Sequence, residues 1–335
     1  MTDADSRVTT LGTIETQIIT RSEELPEMAS GDFFHSRDMF EMAERTPGQT
    51  PFMVVARHND GTIAGHLLAT LRRRGSLIPP YLFTQGRVYG CGVYADGADK
   101  EAVFRAMLAA ITSKLRDKMC LYIEFSNLTH KMFGYKDFRE QGYFPVHWMA
   151  VHISLHSKDP RERLTTRVAT RIERARDAGV DTRVMEHYDD FAAFYKLLKN
   201  YFTLRLRRYL PPEKQLYEMG DNANSRIFIT RFKGKVIGGC VCVYSGSDAY
   251  LWYMAAKNKS HPKLHPATST VWAAIDYAYK HGYAHIHFMD VGLPFRKNPY
   301  RDFILSFGGK PVSTYRWFRF TFPLLNNVLR WIYRP

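Results

Sequence analysis

One order of predicted elements occurs twice in the chain, and this repeat restricts the possible folds more than any other feature. Residues 52–70 form two apolar segments joined by the turn Asn59-Asp60-Gly61. Residues 227–244 have the same pattern, with the turn Lys233-Gly234-Lys235. Glycine accepts a positive φ without steric cost, so such turns are typical of β-hairpins. Both segments therefore predict a hairpin of two strands.

The same order continues after each hairpin. Apolar residues at three- and four-residue steps predict a helix from about Glu101 to Lys118 and another from about Ala267 to His281. An apolar segment follows each helix, near 120–127 and near 284–292, and predicts a buried strand. We infer a duplicated hairpin–helix–strand unit.

The closest match between the two copies comes next. Residues 134–146 contain Tyr135-Lys136-Asp137-Phe138, and residues 299–312 contain Tyr300-Arg301-Asp302-Phe303. Glycines follow both motifs at similar distances. Three features in the same order favour duplication over two unrelated supersecondary pieces.

The segment between the copies predicts where the second domain begins. Residues 159–180 predict a polar helix, with Asp159 suited to cap its start and Gly179 to end it. We predict an α/β chain with a first domain at 1–155, a second at 156–320 and a basic aromatic tail or helix at 321–335. The tail can pack back on the first domain.

The charge balance indicates the class of partner. The 335 residues carry a formal net charge of +14, with a pI near 9.6. This balance favours nucleic acid, phosphorylated substrates or anionic lipid, and a basic soluble protein is the plainer alternative. The basic, aromatic tail is a candidate for peripheral membrane contact, and a strand and helix packed on the core is the favoured interpretation.

Cysteine and histidine patterns provide no evidence for a metal site. The four cysteines include no C-x-x-C pair, which predicts neither a disulfide framework nor zinc and favours a reducing compartment. His285 and His287 alternate along a predicted strand, and we interpret them as sheet residues without a metal. With no apolar signal segment near the N-terminus, we expect a cytoplasmic protein that is a candidate for the inner face of the membrane. We also expect a monomer.

Several motifs resemble a known family. The helical segment 171–180 ends in Gly179-Val180, and His265-Pro266 precedes the apolar helix containing 272–275. Phe288-Met289-Asp290-Val291-Gly292 is a strand ending in Asp and Gly, and 303–309 contains an aromatic-glycine pattern. The repeated unit is similar to the GNAT N-acyltransferase fold, and the pair resembles the FemABX peptidyltransferases.

This resemblance implies two tandem GNAT-like domains, each a mixed twisted sheet flanked by helices. It also implies a bacterial transferase of cell-wall peptidoglycan biosynthesis, which moves an amino acid from aminoacyl-tRNA to an amine of the precursor. The chain departs from the family in two ways. It has no room for the helical arm of some members, and Ile304 stands where many members place a lysine.

The resemblance and residue chemistry together give candidate catalytic residues. Asp290, at the end of a predicted strand, could act as general base for the attacking amine or orient it. Tyr253 could donate its phenol hydrogen bond to substrate, and the neighbouring Trp252 is a candidate substrate contact. The alternatives are a turn cap for Asp290 and core packing for Tyr253.

Basic residues give candidate anion contacts. Arg207 and Arg208 lie in a basic segment that ends in two prolines, and Arg296, Lys297 and Arg301 follow the Asp290 strand. Guanidinium groups suit phosphate and carboxylate. The helix arginines Arg167, Arg171 and Arg174 share one face at helical spacing and are candidates for RNA contact. A solvent-exposed charged face is the alternative.

The sequence leaves the identity of the acyl donor open. The segment 257–269 contains no glycine, which argues against a coenzyme A loop there. Residues 87–92 match such a loop literally but read as a strand. We expect no bound cofactor and a donor that is either aminoacyl-tRNA or an acyl group on coenzyme A or a carrier protein. A non-catalytic basic module that binds nucleic acid or anionic membrane is the third alternative.

Overall fold

The computed structural model describes residues 9–11, 14–29, 31–75, 79, 81–126, 128, 132–203, 209–289 and 291–333. Within these residues the strands are β1 Thr9–Leu11, β2 Ile14–Ile19, β3 Gln49–His58, β4 Ile63–Gly75, β5 Leu82–Tyr89, β6 Val93–Tyr94, β7 Tyr122–Ser126, β8 Phe144–Ser154, β9 Val180–Val184, β10 Ser225–Phe232, β11 Lys235–Ser245, β12 Asp248–Ala256, β13 His285–Phe288 and β14 Lys310–Phe320. The α-helices are α1 Arg37–Glu44, α2 Lys100–Asp117, α3 Tyr135–Glu140, α4 Thr166–Asp177, α5 Tyr188–Thr203, α6 Glu213–Asp221, α7 Pro266–Lys280, α8 Pro299–Leu305 and α9 Pro323–Ile332. Two 3₁₀ turns lie at Ser22–Glu24 and Pro160–Arg163.

The chain divides into two compact units. The first contains residues 1–148 and 314–335, and the second contains residues 149–313. Residues 314–320, which we predicted in the second domain, belong to the first unit because β14 pairs antiparallel with β7 from Arg316↔Ser126 to Phe320↔Tyr122. The cross-strand hydrogen bonds between β14 and β7 thus assign this segment to the first unit.

The first unit is a mixed sheet with helices. Its strand order is β1-β2-β3-β4-β5-β7-β14, and β6 pairs with β4. Strands β5 and β7 are parallel, as expected for strands joined through the helix α2. The buried face of α2, including Val103, Met107 and Ile111, packs into the core of this unit.

The second unit repeats this organisation. Its strand order is β8-β13-β12-β11-β10-β9, and the strands β12 and β13, which α7 connects, are parallel. The predicted apolar face of α7 (Val271, Ala274, Ile275, Ala278) is fully buried in the core of this unit. Both hairpins and both helices of the predicted repeat are confirmed.

The predicted motif match also falls on equivalent elements. Tyr135-Lys136-Asp137-Phe138 begins α3, and Tyr300-Arg301-Asp302-Phe303 lies in α8. A strand follows each of these helices, β8 in one copy and β14 in the other. The α/β fold class with mixed sheets flanked by helices is therefore confirmed.

One local prediction needs correction, and two short helices were not predicted. The single helix predicted at 159–180 is a 3₁₀ turn followed by α4, because Leu164 and Thr165 adopt extended backbone. Asp159 caps the 3₁₀ turn, where its carboxylate accepts from the Arg161 N–H at 2.8 Å. The short helices α1 and α6 were not predicted.

The C-terminal tail continues as a strand and then a helix. After β14, α9 is anchored to the first unit by Asn326, whose Nδ2 donates to the Gly142 carbonyl at 3.0 Å. The Asn326 Oδ1 accepts from the Phe320 N–H at 2.9 Å. None of the helices in the described ranges combines the length and apolar character that a membrane span requires.

Candidate active site

In the second unit the pairing of two parallel strands ends before one of the strands does. The parallel pairing of β12 with β13 runs from Asp248↔His285 to Leu251↔Phe288. Strand β12 then continues to Ala256, whereas β13 ends at Phe288. We call residues 252–256, the part of β12 that continues beyond the end of this pairing, the β12 wedge. Ligand sites of α/β sheets are common where neighbouring strands diverge.

A β-bulge lies at the start of the β12 wedge. In the β11–β12 pair, Val241 is opposite Tyr253 and Cys242 is opposite Leu251. Trp252 is therefore the extra residue of β12. Bulges increase the local twist and redirect side chains, and they are frequent beside active sites.

The phenol of Tyr253 lies in this region. The ring is 5% exposed and lies 6.0 Å from the Phe202 ring, centroid to centroid. The Trp252 ring stacks on it at 5.4 Å. The Tyr253 hydroxyl donates to the Tyr209 carbonyl at 3.3 Å, which is long for an O–H donor. Two predicted site residues, Trp252 and Tyr253, thus lie together at the β12 wedge.

The segment after β13 is held in a fixed turn. Gly292 has φ +89°, and a Cβ there would lie 2.6 Å from the Asn298 side chain. Asn298 donates to the Val291 carbonyl at 2.7 Å and also caps α8. Arg301 donates to the carbonyls of Leu293 at 2.8 Å and Arg296 at 2.9 Å. The predicted anion contact Arg301 therefore binds the backbone of this loop.

The other predicted basic residues fall in different environments. Arg296 and Lys297 are exposed on the loop that Arg301 holds. Asp290, Arg207 and Arg208 lie outside the described residues.

The predicted RNA-contact arginines lie beside the start of α7. Arg167 and Arg174 are exposed and Arg171 is half-buried. Burial, together with the positive charges of Arg171, Arg174 and Arg167, lowers the pKa of His265, the residue immediately before α7. The connection from β12 to α7 adds exposed Lys257, Lys259 and Lys263. We call the three arginines of α4 together with His265 the α4–α7 basic cluster.

The first-turn amides of α7 already have partners. Pro266 has no N–H, and the Ala267 N–H donates to Asn258 Oδ1 at 3.1 Å. The amides of Thr268 and Ser269 donate to the His265 carbonyl at 2.9 and 3.2 Å. A phosphate that bound here would therefore meet basic side chains rather than a row of helix amides.

Ile304 occupies a core position. Its side chain is fully buried in the hydrophobic core of the second unit, which also includes Phe307. The position where the resemblance places a lysine therefore contributes packing, and an ammonium group here would be surrounded by apolar side chains.

In the first unit, the residues that follow the corresponding parallel strand pair pack closely against neighbouring segments of the same unit. Parallel pairing of β5 with β7 ends at Tyr89↔Ser126, and the Gly90 N–H donates to the Ser126 carbonyl at 2.8 Å. Gly92 has φ +99° and donates to His35 Nε2 at 3.1 Å, and a Cβ there would lie 2.8 Å from the His66 carbonyl. The glycines of 87–92 thus serve close packing, and the prediction of a strand is confirmed for β5.

A buried polar network in the first unit was not predicted. Glu124 contacts Arg87, accepts from Arg316 at 3.1 Å and accepts from the Gln85 amide at 2.6 Å. Gln85 also accepts from Arg72 and Arg74, at 3.1 and 3.0 Å. A signal for this network was present in the sequence, because residues two apart on a strand share a face. Arg72 and Arg74 are two apart on β4, and Gln85 and Arg87 are two apart on the neighbouring strand β5.

Comparison with known proteins identifies the fold. Residues 162–298 match the family model of the acetyltransferase (GNAT) domain. The fold of these residues is therefore GNAT-like. The match covers most of the second unit, including β12, α7 and β13, and supports a transferase. No curated protein sequence matches the chain.

Solved structures extend the likeness to both units. The chain is similar to FemX, with a TM-score of 0.64, 12% identity, and coverage of 90% of this chain and 94% of FemX. It is also similar to a tandem GNAT protein from the clavulanic acid biosynthesis pathway, with a TM-score of 0.57, 14% identity and coverage of 90% and 92%. A third is the C-terminal domain of a putative lysylphosphatidylglycerol synthetase from Agrobacterium fabrum, with a TM-score of 0.58, 11% identity and coverage of 90% and 91%. The predicted FemABX-like tandem GNAT fold is confirmed.

Proposed function

We propose that the chain is an N-acyltransferase whose second unit transfers an aminoacyl group from aminoacyl-tRNA to an amine. The observation that carries this proposal is the α4–α7 basic cluster beside a helix start whose amides are already bonded. Basic side chains on a helix face suit an RNA backbone. A coenzyme A pyrophosphate is usually bound by free amides at a helix N-terminus.

The chemistry would take place in the β12 wedge. The acceptor amine attacks the ester carbonyl of the donor, a C–N bond forms, and the C–O bond to the ribose breaks. The amine loses a proton to a base, for which Asp290 remains our candidate, and the departing oxygen gains one. In this proposal the Tyr253 hydroxyl exchanges its hydrogen bond to the Tyr209 carbonyl for one to the developing oxyanion or to the departing oxygen.

Positioning would supply much of the rate. Residue 304 is a buried isoleucine and not a lysine, so it cannot stabilise the oxyanion. We infer that Tyr253 and the bulged backbone of β12 perform this role instead. Holding donor and acceptor together in the β12 wedge turns a bimolecular step into an effectively unimolecular one.

The acceptor that fits best is an amine on a membrane-associated precursor or lipid. Two of the similar solved structures are FemX and the C-terminal domain of a putative lysylphosphatidylglycerol synthetase. Helix α9 exposes an apolar surface, with Leu324 83% and Trp331 68% exposed. Such a face can lie in the interface of a membrane, and the net charge of +14 favours anionic lipid. A peptidoglycan precursor remains our first candidate.

Donor binding provides the direct test. We would measure binding of the full chain to aminoacyl-tRNA, deacylated tRNA and coenzyme A by thermal shift and filter binding over a salt series. The variant Arg171→Gln/Arg174→Gln should bind tRNA more weakly, with the slope of log K against log salt reduced by about 1.5. Arg176→Gln is the matched control, because Arg176 is exposed on the same helix, beside Asp177, and should keep the parental slope.

The outcomes separate the alternatives. Stabilisation by aminoacyl-tRNA together with transfer of a labelled amino acid would support the proposal, and mass spectrometry of muropeptides and lipids after gene deletion would identify the acceptor. Unchanged profiles in both would remove this acceptor class. Steep salt dependence with no product from any donor would favour the non-catalytic basic module.

An acyl-coenzyme A or acyl-carrier donor is the second candidate. It is favoured by the acetyltransferase description of the matching family model. Stabilisation by coenzyme A with no response to either tRNA would select it over the aminoacyl donor.

A further inference from the structure

Three adjacent strands of the second unit bring histidines and a carboxylate together, away from the β12 wedge. His285 and His287 alternate on β13, so they share the face opposite to the buried residues Ile286 and Phe288. The register places Asp248 of β12 opposite His285 and His152 of β8 opposite His287. The cluster therefore lies at the start of β13, whereas the β12 wedge lies beyond its end.

The ligand atoms of three of these residues converge. Asp248 Oδ1 lies 3.1 Å from His285 Nδ1, and Asp248 Oδ2 lies 3.1 Å from His287 Nε2. One ligand atom from each of the three residues lies within 4.8 Å of the others. Atoms that share a metal at bond lengths near 2.0–2.2 Å are separated by about 3–4 Å.

Neighbouring rings fix and extend the cluster. The Tyr250 ring stacks on His287 with centroids 4.9 Å apart and an angle of 16° between the planes. The His152 ring lies 5.4 Å from His285 and 5.7 Å from His287, and the His156 ring lies 5.2 Å from His285. Four imidazole rings, those of His152, His156, His285 and His287, thus lie close together on this face of the sheet.

We propose that Asp248, His285 and His287 form a binding site for a divalent transition-metal ion, with Zn²⁺ as the probe. Two imidazoles and one carboxylate are a ligand set that Zn²⁺ accepts, and they leave a fourth position for water or for His152. The three side chains are between 25% and 32% exposed, so an ion can reach them from solvent. On binding, the ion replaces the protons that His285 and His287 direct at Asp248, and these protons move to the other ring nitrogens or to solvent.

The site would join β12 to β13 at the end opposite to the β12 wedge. Its ligands come from two strands, and a metal bond across them would add to the parallel pairing. This function is independent of the proposed acyl transfer.

The test uses the full chain, freed of metal by chelator and then titrated with Zn²⁺ against a chromophoric competitor. We expect one equivalent of tight binding and a rise in the melting temperature. A visible absorption spectrum typical of low-coordinate Co²⁺ should appear when Co²⁺ replaces Zn²⁺. His285→Ala and His287→Ala should each weaken binding by about 100-fold or more, since loss of an outer-shell partner already costs 10- to 100-fold.

Controls keep the result interpretable. His281→Ala, at the end of α7, removes a histidine from the same unit and should bind as the parent does. If a histidine variant does not fold, Asp248→Asn removes the charged ligand with little change of shape. Parental binding in all three ligand variants, or the lack of a saturable single equivalent in the parent, would overturn the proposal.

Discussion

The buried histidine His66 makes the stability of the first unit depend on pH in a calculable way. Its side chain lies on β4 and is 2% exposed. Burial, followed by the charge of the neighbouring His35, lowers the pKa of His66 from 6.5 to about 4. Because the folded pKa lies below the unfolded one, the stabilising contribution is fully present above pH 6.5. It is lost as the pH falls from 6.5 to about 4.

The size of the effect follows from the two pKa values. The folded and unfolded pKa values of His66 differ by about 2.5, and at about 1.36 kcal/mol per pKa unit this difference corresponds to about 3 kcal/mol of folding stability in total. The linkage relation places about 2 kcal/mol of this loss between pH 7.5 and pH 5. His66→Gln fills a similar space and does not titrate in this range. Its other effects on stability should therefore be nearly independent of pH.

The assay is hydrogen exchange of the β4 amides, combined with urea unfolding, for the parent and His66→Gln. The free energy of unfolding of the parent relative to the variant should fall by about 2 kcal/mol from pH 7.5 to pH 5. A difference that stays constant over this range would refute the argument that burial holds His66 neutral.

Three further predictions concern the proposed site and its surroundings. Tyr253→Phe should lower kcat by about 100-fold in a single-turnover transfer assay while changing stability by no more than about 1 kcal/mol, and an unchanged kcat would exclude the hydroxyl from the chemistry. Ile304→Lys should destabilise the chain by about 3–5 kcal/mol in urea unfolding without raising transfer, because it buries an unpaired charge, and a stable, faster variant would contradict this. Trp331→Ser should reduce co-sedimentation with phosphatidylglycerol vesicles by about 10-fold if α9 contacts the membrane, whereas unaltered binding would assign the lipid contact to another surface.

The periodic parts of the fold could be predicted because they depend on local pattern. The glycine turns at 59–61 and 233–235 specify hairpins, and the spacing of Val271, Ala274 and Ala278 specifies the buried face of α7. The boundary between the units could not be predicted in this way, because the placement of β14 depends on its pairing with β7. Strand pairing is a long-range choice that the local sequence does not encode.

The same distinction between local pattern and long-range pairing applies to the candidate site. The sequence by itself determined the repeat, the basic face of α4 and the aromatic pair Trp252-Tyr253, since these depend on composition and spacing along the chain. Tertiary structure decided that Arg301 binds backbone carbonyls, that Ile304 is a core residue and that Asp248 meets His285 and His287. Those outcomes depend on which strands become neighbours and in which register, and these distances are set by packing across the sheet.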